Sequence, residues 1–241
     1  MKKFVSVLLV CVALVLVLDV NGTLANQAEQ LAQNLFRTVQ NILNPTPDVD
    51  SENFKVDLVF TQQNGAAIDR GQVLAPSHEI SGMPTANTEG LWTATGVVDR
   101  FTCATNNSTA TTDGTHDAYL RIVVAMKDNN FVYLNFKNSD DFDITTIKNY
   151  EIDGAKYTLH VFTYTRALKP GETTPPTLMQ IAMDKSTTSE QLETLGSDFL
   201  RFKVMAIQAS AFVDKTKNDQ QMTYSEALNA AIPLDENFRP F

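Results

Sequence analysis

Apolar and polar residues follow three successive patterns along the chain. Lys2 and Lys3 precede an uncharged stretch from Phe4 to Leu18. That stretch falls short of the roughly 20 apolar residues a helix needs to cross a bilayer. It matches the apolar region of a secretory signal, about 7–15 residues long. Across residues 26–43, Ala28, Leu31, Ala32, Leu35, Phe36, Val39, Ile42 and Leu43 recur three and four apart, with Gln, Asn, Glu and Arg between them. This spacing predicts an amphipathic helix. Asn44-Pro45-Thr46-Pro47 ends it, because proline cannot continue a helix and restricts the residue before it. From Phe54 the period becomes two: Phe54, Val56, Leu58 and Phe60 alternate with Lys55, Asp57, Val59 and Thr61, as in a half-buried strand.

Further strands are expected at 118–126, 131–136, 156–166, 177–183 and 199–211. Lys127-Asp128-Asn129-Asn130 is polar and tolerates left-handed backbone, so it predicts a hairpin between the first two of these. Asp153-Gly154 marks a turn before the strand at 156. Thr188, with Gln191 three positions on, opens a short helix that Gly196 closes, and residues 224–232 form another that Pro233 stops. Residues 80–117, rich in Thr, Asn, Ser and Gly, read as long surface loops with one or two short strands. The fold class is therefore mainly β. The expected architecture is an antiparallel β-sandwich with an amino-terminal amphipathic helix and two short helices near the carboxy terminus. No alternation of strand and helix points to a parallel doubly wound sheet.

The amino terminus changes the picture of where this domain works. Thr23-Leu24-Ala25 presents small residues at the positions a signal peptidase accepts, so the expected cut lies between Ala25 and Asn26. This divides the chain into a signal peptide (1–25), a helix with a proline-rich linker (26–50) and a single β domain (51–241). The expected location is extracellular or at the cell surface. The membrane is involved only through the signal segment, should it remain uncleaved. Cleavage takes two lysines and one aspartate from the 19 basic and 28 acidic residues, leaving 17 and 27 and a formal charge of −10. No basic stripe offers itself to phosphates, which argues against nucleic acid as a partner. Cys11 lies in the signal, so Cys103 alone remains and no disulfide framework can form.

The search for chemistry finds little. His78, His116 and His160 have no metal-ligand spacing, and no HExxH, GxSxG, Walker or GxGxxG sequence is present. A Cys103–His116 dyad is conceivable, but nothing in the sequence orients either group. Asp140, Asp141 and Asp143 are oxygen donors of the kind calcium takes, without the alternating ligands and glycine of an EF-hand loop; a solvated loop is the default. Asn106-Asn107-Ser108-Thr109 holds overlapping glycosylation acceptor sequences and is expected to be exposed. No enzyme activity, cofactor or metal is expected.

A resemblance adds what periodicity cannot. Asn21-Gly22-Thr23-Leu24-Ala25 resembles the end of SipW-dependent signal peptides, with Asn26 where an aromatic residue usually stands. Ala167 to Thr173 resembles the proline-glycine turn before the penultimate strand of the TasA-like and camelysin-like surface proteins of Gram-positive bacteria. Thr188 to Gly196, Phe202 to Ala209, Phe212 and Tyr224 to Ala231 match that group's helix, following strand, aromatic and alanine-rich helix in order, and Asp117 to Arg121 matches an earlier segment. The resemblance implies a jelly-roll-type β domain outside the cell and polymerisation into biofilm fibres by strand donation. Some relatives are described as proteases, an activity this chain's lack of a zinc motif does not carry over.

The function expected is thus a secreted structural protein, a subunit of extracellular fibres or biofilm matrix that assembles by strand or helix donation. Its partners would be copies of itself and related surface or matrix proteins. The expected assembly interface is Leu31, Leu35, Phe36 and Val39 on the helix, and Phe54, Val56, Leu58 and Phe60 on the first strand. The alternatives are a membrane-anchored pilin-like subunit or a monomeric surface adhesin, with a camelysin-like protease behind them.

Overall fold

The structure, a computed structural model, describes residues 53–66, 68, 74–110, 115–214, 220–236 and 238–241. The expected signal peptide, the Ala25/Asn26 cleavage pair and the helix at 26–43 lie outside these residues. The described part is mainly β, built of antiparallel sheets.

One layer contains, in spatial order, β6 (Phe142–Ile152), β7 (Ala155–Tyr164), β4 (Ala118–Lys127) and β9 (Leu200–Gln208), all antiparallel. The other joins β1 (Val56–Thr61) to β3 (Phe101–Asn106), and β2 (Val98–Asp99) to β8 (Leu178–Met183) and β5 (Val132–Phe136). Backbone bonds tie these two groups together: Arg100 N–H to Met179 C=O, Thr177 N–H to Thr102 C=O and Thr174 N–H to Ala104 C=O, at 2.7–2.9 Å. Residues 98–106 and 172–181 therefore run side by side, and the order across this layer is β1, β2/β3, β8, β5.

The layers meet through one apolar cluster. Leu120, Ile122 and Val124 of β4 and Phe162 and Tyr164 of β7 face Ala104, Val132, Leu134, Ile181 and Met183 of the opposite layer. Aromatic contacts cross the gap, with Phe136 and Phe162 ring centroids 5.3 Å apart. Each fully buried large apolar side chain here contributes roughly 1.5–3 kcal/mol, so β4, buried along most of its length, and the second half of β7 are the energetic centre. The outward face of that layer is also covered. Val123, Ala125, Leu159 and Val161 pack under Ile232, Leu234 and Phe238 of the carboxy-terminal tail. Tyr119 packs under Ala227 and Leu228 of a helix, α2 (Tyr224–Ala231). A helix at Ser189–Leu195, α1, closes one end of the inner core through Leu195.

Both helices start on capping boxes. Thr188 accepts from Gln191 N–H, and Thr223 from Glu226 N–H, with the third residue's side chain returning the bond in each case. Gly196, at φ 74°, ends α1 as expected. A small hairpin of β10 (Val213–Asp214) and β11 (Gln220–Gln221) precedes α2. Among the described residues no helix is long and apolar enough to cross a membrane.

Three expectations change. The segment 118–136 is not a hairpin: β4 pairs with β7 and β9, whereas β5 pairs with β8 in the other layer. Residues 128–130 carry the chain between layers, with Asn129 Oδ1 accepting from the N–H groups of Phe131 and Val132 at 3.1 and 2.7 Å. The acidic stretch after Ser139 is not a loop throughout, since Phe142 opens the long edge strand β6. Asp153 and Gly154, at φ 52° and 77°, form the two-residue turn of the β6–β7 hairpin, where both central residues must be left-handed. Finally, within residues 80–117 β2 and β3 are the short strands expected there, but the stretch before them is not all at the surface. Trp92 is 5% exposed and packs with Ile80 on the outward face of β8. Its backbone N–H and C=O pair with the side-chain amide of Gln180 at 2.7 and 3.1 Å.

Candidate assembly surface

Four of the eight expected interface residues can be placed. Phe54, Val56 and Leu58 pack against the inter-layer core. Phe60 meets Phe202 of β9 edge-on, with centroids 5.0 Å apart. These side chains therefore serve this chain's own core. What β1 offers is its outer backbone edge, with no strand paired to it among the described residues. Lys55 and Asp57 form an ion pair at 2.9 Å at its start, and the Asn107 amide donates to the same carboxylate at 2.8 Å. The Asn107 bond and then Lys55 hold the Asp57 carboxyl below its usual range. Leu31, Leu35, Phe36 and Val39 lie outside the described residues.

The start of β1 is held by a polar hub. Asn106 is fully buried; its amide donates to the C=O groups of His116 (2.9 Å) and Leu168 (2.8 Å) and its oxygen accepts from Ser108 N–H (3.0 Å). Ser108 Oγ in turn accepts from Lys55 N–H at 2.8 Å, and His116 Nδ1 lies 2.6 Å from Thr109 C=O. The expectation of an exposed acceptor loop thus fails at Asn106 and Ser108. Asn106 is a structural bolt joining β3 to Ser108, to His116 and to the segment before β8. A buried amide with every polar atom engaged is a reading no local pattern could supply.

The conceivable catalytic groups are placed as follows. Cys103 is half-buried on β3, and burial pushes its thiol up to about 11. A nucleophilic cysteine needs the opposite shift, and the His116 ring is buried against Thr109. Alkylation of Cys103 in the folded protein at pH 8 should run roughly a hundredfold slower than for an ordinary thiol. Timed reaction with iodoacetamide, read by intact mass, checks this. His160 stacks on Phe136 at 4.5 Å, and burial lowers its pKa. Asp141 accepts from Ser139 Oγ and Asp143 from Tyr224 OH, both at 2.7 Å. Among the described residues no group of three or more His, Cys, Asp or Glu side chains gathers as a metal site.

Two further buried polar residues escaped the sequence pattern. Arg121 of β4 is 2% exposed, with no carboxylate paired to it among the described residues; its guanidinium donates to Ile232 C=O, to Asn229 Oδ1 (2.6 Å) and to Thr163 Oγ1 (3.3 Å). It thereby caps the carboxy-terminal end of α2, whose own last turn carries no basic residue. Asp184 follows β8 and accepts from Ser186 Oγ and N–H, Gly82 N–H and Tyr133 OH at 2.6–3.2 Å. The Ser186 bond first, then Gly82, drives its carboxyl far below the normal range.

No family model, curated protein or solved structure matches this chain.

Proposed function

We propose that this chain is a secreted structural protein of the Gram-positive cell surface, of the TasA-like and camelysin-like kind, and that its mature form assembles into extracellular fibres through its amino-terminal region. The observation that carries the reading is the outer edge of β1, which no strand pairs among the described residues, on the strand that follows the amphipathic stripe and its proline-rich linker in sequence. An open antiparallel edge presents N–H and C=O groups that template another segment. The side chains of β1 belong to its own core, so the donated element is assigned to the segment upstream of Asn53: an irregular piece of the proline-rich linker meets the open edge, and the helix before it docks through Leu31, Leu35, Phe36 and Val39. The strand path favours a jelly-roll reading of the two layers: β1 to β3 lie in one layer, β4 in the other, β5 in the first, β6 and β7 in the second, β8 in the first and β9 in the second. The protonated Cys103 thiol supports a role without thiol catalysis.

Material purified from culture medium tests the proposal. It should begin at Asn26 and appear as fibres by electron microscopy. A chain beginning at Met1 and retained in the membrane would overturn it.

A further inference from the structure

Four strands lie at the edges of the two layers: β1 and β5 in one, β6 and β9 in the other. Sheet edges invite pairing unless something blunts them. β9 carries Arg201 and Lys203, with Arg201 bound to Asp153 and Asp198 at 2.8 Å each, and it adjoins β1 through Phe202 and Phe60. On β5, the Asn135 amide donates to Gly90 C=O at 2.8 Å, which brings the 87–91 turn against that edge. β1 has the Lys55–Asp57 pair at its start. Among the described residues nothing comparable protects the first half of β6. Asp143 to Thr146 are all exposed, Ile144 at 47%, and the run Ile144-Thr145-Thr146-Ile147 is β-branched with neither charge nor proline. A bulge at Lys148-Asn149, where Asn149 takes φ 56°, ends the regular part.

The geometry points to the β6 edge as a second association site, occupied by β6 of another copy paired antiparallel about a two-fold axis at Thr145.

The hydrogen-bond phase selects this register. Thr165 N–H donates to Asp141 C=O at 3.0 Å, and Phe142 stands opposite Tyr164. Bonded and non-bonded pairs alternate along an antiparallel ladder. Asp143, Thr145 and Ile147 therefore turn their backbone groups toward β7, while Ile144 and Thr146 turn theirs outward. The N–H of Phe142 bonds to Ser139 C=O. An axis at Thr145 sets Ile144 against Thr146 of the second copy and the reverse, so both outward-facing residues bond on both strands. An axis at Ile144 or Thr146 instead pairs that residue with itself and spends the other on Phe142 or the bulge. The side chains agree. Thr145 meets Thr145, Ile144 meets Thr146 and Asp143 meets Ile147, so no charge faces its like, and β-branched cross-strand pairs are favourable. The Asp143 carboxylate is held by Tyr224 OH. Residues 143–148 carry one Asp and one Lys, a neutral patch on a chain of net charge −9. A second copy can approach there without the repulsion acting elsewhere. Because β6 pairing is isologous, it closes on two copies, whereas amino-terminal donation propagates. Together they would join fibres side by side.

Disulfide trapping on the full mature chain, residues 26–241, tests the contact. At a non-bonded self-pair the two Cα atoms lie about 4.5 Å apart, within the roughly 4.4–6.8 Å that a disulfide spans. Under mild oxidation Thr145→Cys should form covalent dimers at least about tenfold faster than Glu151→Cys, since only the former gains from a high local concentration. Adding Thr146→Pro removes an outward N–H without touching the β6–β7 ladder, and should abolish the excess. The excess should persist with Leu35→Asp and Phe36→Asp in the same chain. Equal rates for Thr145→Cys and Glu151→Cys, or indifference to Thr146→Pro, would overturn the assignment. Fibres that persist with Leu35→Asp and Phe36→Asp would count against amino-terminal donation and leave the β6 contact standing.

Discussion

Arg121→Ala should destabilise the domain by about 3–5 kcal/mol, through a cavity and polar groups left without donors. The guanidinium is buried between β4, β7 and α2 and satisfies Ile232 C=O, Asn229 Oδ1 and Thr163 Oγ1. Alanine removes all three bonds at once, together with the cation at the end of α2. The helix and the tail beyond it cover Val123, Ala125, Leu159 and Val161, so loosening them uncovers apolar sheet. Arg121→Met keeps most of the bulk and should cost less, because an apolar replacement avoids the desolvation of a buried charge. Asn229→Ala alone should lose only about 1 kcal/mol, one hydrogen bond's worth. Urea denaturation of the three variants checks the order. An Arg121→Ala midpoint equal to wild type would show that α2 is held by packing alone.

Asn106→Ala is expected to cost about 3 kcal/mol, since each buried group left unsatisfied costs roughly 1–3 kcal/mol. His116 C=O, Leu168 C=O and Ser108 N–H would all lose their partner, in a site where Asn106 is 0% exposed. Asn106→Asp should be worse at neutral pH than in acid, because its carboxylate would face two carbonyl oxygens. Thermal unfolding at pH 7 and pH 4 separates the effects. A neutral-pH stability of Asn106→Asp equal to that of the alanine variant would contradict the hub.

Strands β4, β7, β8 and β9 were legible because long apolar or alternating runs leave few other conformations open. Their pairing was not. β4 and β5 look like hairpin partners across 127–130, yet Lys127 N–H bonds to Phe199 C=O and Asp128 N–H to Lys156 C=O, contacts with residues far along the chain. β6 escaped notice because Thr145, Thr146, Lys148 and Asn149 face solvent, so hydrophobic periodicity, the main sequence signal, is missing from an exposed edge strand. Only its turn, Asp153-Gly154, was readable. The same limit explains the interface residues. Phe54, Val56, Leu58 and Phe60 alternate correctly for a half-buried strand, but alternation does not say whether the covering core belongs to the same chain or to a neighbour. In the sequence Arg121 is a single charged residue within the apolar run of β4, and nothing local says what it faces. That its face is roofed by α2 and Phe238 is a fact of topology that no window of sequence contains.

The central claim is that the amino-terminal segment links copies while the β domain stands without it. Light scattering of residues 26–241, beside the same chain lacking residues 26–50, tests this most directly when thermal unfolding is recorded on both. The mature chain should form large species. The shortened chain should unfold cooperatively near the same temperature and form nothing larger than a pair of copies. A shortened chain that is unfolded, or that still forms the large species, would contradict the claim.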